Sequence, residues 1–257
     1  MLEHETRLIE IAGSSIEVKT IGTPVDAALP IVMLHDSLGS IEHWKEFPNL
    51  LAQNTGRQVF AYSREGSGRS SNFRKKRDIN YLHDEAQKVL PELVENLQIE
   101  KAILFGHSDG ASIALIFAAC FPELCAAVIV SAPHIFVESI TLEGIRKADA
   151  TGREKIISML ERYHNDPKSL YLAWRDTWLL PEFRNWNIEE YVSKIKCPVL
   201  AIQGKQDEYG TPRQVERIGE LVSASKIVLL DNCRHATYKD CEPEVMDEVL
   251  LFSRSIS

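Results

Sequence analysis

Hydrophobic and polar residues alternate twice near the start of the chain, in TRLIEIA (6–12) and SIEVKTI (15–21), with Gly13 and Ser14 between them. Period-two alternation on either side of a turn pair predicts an antiparallel hairpin. The pattern then changes to short unbroken apolar runs: PIVMLH (30–35), RQVFAYS (57–63), KAILFG (101–106) and CAAVIVSA (125–132). Runs of this kind suit strands covered on both faces. Between them lie stretches of helical spacing, at 43–54, at 81–99 with Pro91 as a kink or restart, and in the nearly wholly apolar segment 111–121. The strand–helix alternation predicts an α/β fold, a doubly wound and mostly parallel sheet with helices on both faces.

The rhythm breaks at Pro133. From there to Lys196 the chain holds amphipathic helical pieces, such as REKIISMLERYH and SLYLAWRDTWLL, and no convincing strand. It then resumes with CPVLAIQG as strand, 212–223 as helix, KIVLLD as strand and 243–254 as the last helix. This predicts a sheet core built from 1–132 and 197–257, with residues 133–196 inserted as a helical cap over one edge of the sheet. A chain of 257 residues is long enough to bury one substantial core.

Composition narrows the function. A net charge of −8 argues against phosphate-backbone binding as the main task, and the one basic run, RKKR at 74–77, reads as a solvated loop. The five cysteines are odd in number and contain no C-x-x-C pair, which suits reduced thiols in a cytoplasmic protein. Cys233 and Cys241 bracket His235 but lack the ligand count of a metal site. The first residues are charged from position three, unlike a signal peptide, and the longest apolar run is too short to span a bilayer. The expectation is a protein acting on a small molecule, with no nucleic acid, no membrane, no metal and no organic cofactor; the sequence carries no signal for oligomeric state.

The candidate chemistry lies in AILFGHSDGAS (102–112), where Ser108 sits between Gly106 and Gly110. G-x-S-x-G alone is a weak signal. Here it stands between a predicted strand and a predicted helix, the context of a nucleophile elbow. A serine hydroxyl needs a base, and the base needs an orienting acid. Loops at the carboxyl ends of the last two strands offer them: KQDEY gives Asp207, with Glu208 as the lesser candidate, and NCRHATY gives His235. Among the other histidines, His4, His83 and His164 read as exposed, His43 as near a helix start, and His107 as pointing away from the hydroxyl. His35 and His134 lie at strand ends, and His134 is also a candidate for substrate binding. The oxyanion donors are expected to be the backbone N–H groups of Asp109, after the nucleophile, and of Ser37, in HDSLGS after the early strand.

These motifs resemble the α/β-hydrolase superfamily over nearly the whole chain: LHDSLGS for the oxyanion loop, YSREGSGRS for the glycine-rich turn, GHSDG for the elbow, QGKQDEY for the acid and CRH for the histidine. Within it the chain looks most like the valacyclovir-hydrolase (biphenyl hydrolase-like) group and related bacterial serine hydrolases. The resemblance implies a small-ester hydrolase working through an acyl-enzyme, with carbon–carbon bond hydrolases, lactonases, aminopeptidases and non-catalytic ligand receptors as variations on one scaffold. It departs from the usual pattern in Asp36, where a glycine commonly follows the histidine, and in Ala111.

Asp109 has two readings: a first-turn helix residue stabilised by the helix dipole, or a pocket carboxylate that pairs with a substrate cation. The resemblance favours the second, because in valacyclovir hydrolase the aspartate after the nucleophile holds the substrate's amino group. Trp174 and Trp178, four apart on one predicted helix, either pack the cap or line an acyl or alcohol pocket.

Overall fold

A computed structural model describes residues 2–25 and 28–256. Eight strands form one sheet: β1 His4–Ile11, β2 Ser14–Ile21, β3 Ile31–Leu34, β4 Val59–Ser63, β5 Ala102–His107, β6 Cys125–Ser131, β7 Val199–Gly204 and β8 Ser225–Leu230. Their spatial order is β1-β2-β4-β3-β5-β6-β7-β8. The first two pair antiparallel to each other, β2 pairs antiparallel to β4, and from β4 to β8 every pairing is parallel. The hairpin turn falls one residue earlier than expected, at Ala12 and Gly13, both with positive φ (49° and 77°). Two successive left-handed residues give a tight hairpin whose twist matches that of its strands.

Burial follows the patterns. The central strand β5 is buried at every position, whereas β1, at the edge, is exposed over most of its length. One apolar layer joins the helices Asp109–Cys120 and Arg213–Leu221 and the helical stretch from Tyr81 to Asn96 to one face of the sheet. The other packs the helices Phe47–Thr55 and Glu242–Ser253 on the opposite face. Helix Asp109–Cys120 is buried from Asp109 through Ala118, consistent with a segment that is apolar all round.

Three local expectations change. The helix anticipated over 43–54 is two pieces, a 3₁₀ turn Ile41–Trp44 and a helix Phe47–Thr55, parted by Lys45 at φ 55°. The stretch at 81–99 contains a π-helical turn, Glu85–Val89, just before the segment Leu90–Asn96, with Pro91 in that segment's first turn. The backbone stays right-handed helical through Asp84, Val89 and Leu90, so the helix continues and the π-turn accommodates a proline that has no N–H to donate. The insertion between β6 and β7 opens with a helix that begins at Ser139, well before REKIISMLERYH, and continues with Pro167–Trp178, Glu182–Asn185 and Glu189–Val192. Among the described residues its one β-type contact is an isolated bridge from Phe136 to Asn187.

Candidate active site

The carboxyl ends of β3, β5, β6, β7 and β8 open on the same side of a parallel sheet, where loops converge. Ser108 follows β5 with φ 53° and ψ −118°, a backbone state that costs a non-glycine residue about 1–3 kcal/mol. Two close approaches hold the turn. A Cβ on Gly106 would lie 2.6 Å from the Ala111 Cα, and one on Gly110 would lie 2.8 Å from the His35 carbonyl oxygen. Only glycine fits at either place, so strand, turn and helix lock together and the serine hydroxyl is forced outward.

Three distant side chains meet there in a hydrogen-bonded line. The Ser108 hydroxyl lies 2.9 Å from His235 Nε2, and His235 Nδ1 lies 2.8 Å from Asp207 Oδ2. A carboxylate only accepts, so Nδ1–H donates to Asp207 and Nε2 is left to accept from the serine. Asp207 is itself held by four donors. Gln203 Nε2 and His235 reach Oδ2, and the N–H groups of Tyr209 and Gly210 reach Oδ1 at 2.7 and 3.2 Å. Burial pushes the Asp207 carboxyl up, but His235 and these donors outweigh it and hold it below its ordinary value. Burial likewise pushes His235 down, and the Asp207 charge outweighs it, so the imidazole titrates above the ordinary histidine value. Glu208 faces elsewhere, toward the Arg234 guanidinium at 2.7 Å and the His235 backbone N–H at 3.3 Å.

A cavity of about 300 Å³ opens over the serine, lined by Ser37, Asp109, His134, Trp174 and Trp178 together with Ser108 and His235. In the loop after β3, Asp36 takes the N–H of Leu38 on its Oδ1 (2.8 Å) and that of Gly39 on its carbonyl (3.2 Å). The residue that departs from the usual glycine thus shapes the turn. The two tryptophans pack and line at once: both are buried, both face the cavity, and Trp178 Nε1 donates to the Tyr81 hydroxyl at 3.0 Å. His134 donates from Nε2 to the Tyr209 carbonyl (3.1 Å), and its ring centroid is 5.8 Å from that of His235.

The remaining histidines are committed elsewhere. His35 Nε2 accepts the Arg64 backbone N–H at 3.0 Å, and His107 Nδ1 reaches the Ser131 carbonyl at 3.1 Å, away from Ser108. His43 sits in the 3₁₀ turn at the cavity wall. His4 is exposed and His83 half-buried, but His164, expected at the surface, is buried and accepts the Gly68 N–H at 2.9 Å. Its sequence neighbours are polar, yet the chain folds this turn back onto the glycine-rich loop.

Asp109 is fully buried, and its Oδ2 accepts the Tyr81 hydroxyl at 2.7 Å and faces Arg64 Nη1 at 3.7 Å. Arg64 is also buried; its Nη2 donates to the carbonyls of Asp36 (2.6 Å) and His35 (3.2 Å), and the negative charge of Asp109 helps offset the cost of its burial. Sequence reasoning missed Arg64, Tyr81 and Gln203. A carboxylate in the first turn of an otherwise apolar, buried helix calls for a buried cation, but nothing in the local sequence marks Arg64 as that cation.

The model for the alpha/beta hydrolase fold matches residues 30–169, more than half of the chain, and the chain belongs to this family. Hydrolase is the class of enzyme that this fold and its relatives define. A proline iminopeptidase of Lactobacillus helveticus is 24% identical over 249 residues, covering 81% of this chain and 84% of that protein. One from Saccharolobus solfataricus is 23% identical over 266 residues, covering 86% and 84%. The crystal structure of an enol-lactonase from Burkholderia xenovorans LB400 superposes with a TM-score of 0.78 at 17% identity, covering 95% of this chain and 98% of that one. Naproxen esterase from Bacillus subtilis gives 0.73 at 18% identity, covering 98% and 92%. These two structures share the fold.

Proposed function

We propose that the protein is a serine hydrolase of small, neutral carboxylic esters. The observation that carries the reading is the continuous line from Ser108 Oγ through His235 to Asp207, at 2.9 and 2.8 Å. In this mechanism His235 Nε2 takes the hydroxyl proton as Ser108 attacks the ester carbonyl. Asp207 holds the ring in the tautomer that leaves Nε2 free and stabilises the imidazolium that forms. The backbone N–H groups of Ser37 and Asp109 receive the oxyanion, each worth on the order of a hundredfold or more in rate. His235 then returns the proton to the leaving alcohol. Water, activated by the same imidazole, releases the acid from the acyl-enzyme.

The insertion 133–196 acts as a cap on a core formed by 1–132 and 197–257, with Trp174 and Trp178 bounding the acyl or alcohol side. The cytoplasm is the compartment that suits five unpaired thiols.

The Asp109 environment supports neutral substrates. Its charge is balanced by Arg64 and its Oδ2 is engaged by Tyr81, while its Oδ1 is buried without a described partner; the resident cation is what favours a neutral substrate. The iminopeptidase relatives keep an aminoacyl reading in view, and one experiment separates the two. Asp109→Asn is expected to lower kcat/KM for p-nitrophenyl acetate and for an aminoacyl ester by similar factors. A loss confined to the aminoacyl ester would instead assign Asp109 to a substrate ammonium. Turnover of p-nitrophenyl acetate by the unaltered protein, lost by at least about a thousandfold in Ser108→Ala, tests the reading as a whole.

A further inference from the structure

Arg64 and Tyr81, the two partners of Asp109, also line a second cavity of about 220 Å³, which Ser108 and His235 do not border. Its apolar walls come from Ile11, Ile16, Phe73 and Val89, and six basic and four acidic residues border it. In a chain of net charge −8 that excess is notable, and the acidic groups are largely engaged. Glu65 bonds Arg74 (2.7 Å), Asp84 bonds Lys88 (2.7 Å) and faces Lys75 (3.8 Å), Asp78 accepts the Asn80 N–H (2.8 Å), and Glu85 accepts the Tyr62 hydroxyl (2.9 Å). Among the described residues Lys76 and Arg77 have no carboxylate within ion-pair distance.

Two guanidinium donors in this wall are unused. Arg64 Nε and Arg77 Nη1 are both buried and donate to no described group, and the Arg64 side chain is only 2% exposed. A buried donor with no acceptor has given up water and gained nothing in return, and an acceptor brought to it recovers that loss. The Arg77 guanidinium is already held in place, 4.8 Å from the Phe73 ring centroid and 5.0 Å from that of Tyr81. Burial first, and the neighbouring Arg64 charge second, hold it below its ordinary basicity, the condition that an anion close to both would relieve. The RKKR run is therefore not wholly a solvated loop: its last residue turns inward.

We propose that this cavity binds a small organic carboxylate, whose oxygens engage Arg77 and Arg64 while its apolar body lies against Ile11, Ile16, Phe73 and Val89. A planar guanidinium fork matches a carboxylate, and the apolar walls suit an organic body rather than a bare ion. Glu85 and Asp84 nearby favour a monoanion over a doubly charged phosphate. The site is separate from the chemistry at Ser108 and does not depend on it.

Isothermal titration with hexanoate tests it. One-site binding is expected, weakened about tenfold or more in Arg77→Met, a change worth roughly 1.4 kcal/mol, and little altered in Lys75→Met. Hexan-1-ol and inorganic phosphate should each bind at least about tenfold more weakly, since each lacks one half of the ligand. For the unaltered protein, amide NMR shifts induced by hexanoate should map to residues 73–77 and 85–89. Absence of hexanoate binding, phosphate binding of equal strength, or shifts confined to the cavity over Ser108 would each overturn the proposal. Full-strength binding by folded Arg77→Met would do the same.

Discussion

Ser108 carries the strain of the site in its own backbone. At φ 53° a side chain is costly, whereas glycine is free there. Replacing the serine by glycine should therefore remove about 1–3 kcal/mol of strain while adding about 0.5–1 kcal/mol of chain entropy. Ser108→Gly is expected to be inactive yet about 1 kcal/mol more stable than Ser108→Ala in urea unfolding, while equal stability would remove the strain from the account. The titration of His235 gives a second prediction at this scale. The imidazole works as a base only when neutral, so kcat/KM should rise with pH through a limb above the ordinary histidine value. Asp207→Asn removes the charge that lifts it: the limb should move to lower pH and the plateau fall by up to about 10⁴-fold. A pH–rate profile reads both, and a limb that stays in place would dissociate Asp207 from His235.

At the scale of elements, the elbow depends on how closely helix Asp109–Cys120 approaches β3 and β5. A methyl group at position 110 would sit against the carbonyls of Leu34 and His35, backbone atoms that cannot turn aside. Gly110→Ala is expected to cost at least about 1–3 kcal/mol, or several degrees in Tm by calorimetry, where Gly152→Ala, in a helix and with its nearest neighbour Ile156 at 3.5 Å, would cost far less. The apolar runs that form β3, β5, β6 and β7 were legible in the sequence because a strand buried on both faces must be apolar throughout. So was the elbow, because glycine on either side of a serine between strand and helix has a steric reason. The break at Lys45 was not legible, since lysine carries no turn signal and nothing local marks the positive φ it takes between the buried Trp44 and Phe47. The early start of the helix at Ser139 was missed because its first turns are mixed in polarity and bury only Thr141, Leu142 and Ile145.

At the scale of the whole molecule, residues far apart in sequence are joined where the sheet ends. Asp207 and His235 were readable as strand-end loops, and their order along the chain follows from the winding of the sheet. The polar link from Trp178 through Tyr81 to Asp109 and Arg64 was not readable. It joins the segment between β6 and β7, the helical stretch after β4, the elbow and the loop after β4, and no local pattern records such a meeting. Arg64 was hidden in plain view within YSREGSGRS, where an arginine before a glycine-rich turn reads as surface. Because Trp178 both lines the cavity and hydrogen-bonds Tyr81, Trp178→Phe should keep the cavity wall while releasing one tie between insertion and core. The expected outcome is a loss of about 1 kcal/mol in stability with KM for small esters changed more than kcat.

In the proposed reaction the imidazole of His235 makes the Ser108 hydroxyl nucleophilic. Reaction with a fluorophosphonate, followed by mass spectrometry of the digested protein, tests this without knowledge of the natural substrate. A single adduct on Ser108 is expected, absent in Ser108→Ala and slowed by at least about a thousandfold in His235→Ala. An adduct on another residue, or labelling of Ser108 at an unchanged rate without His235, would contradict it.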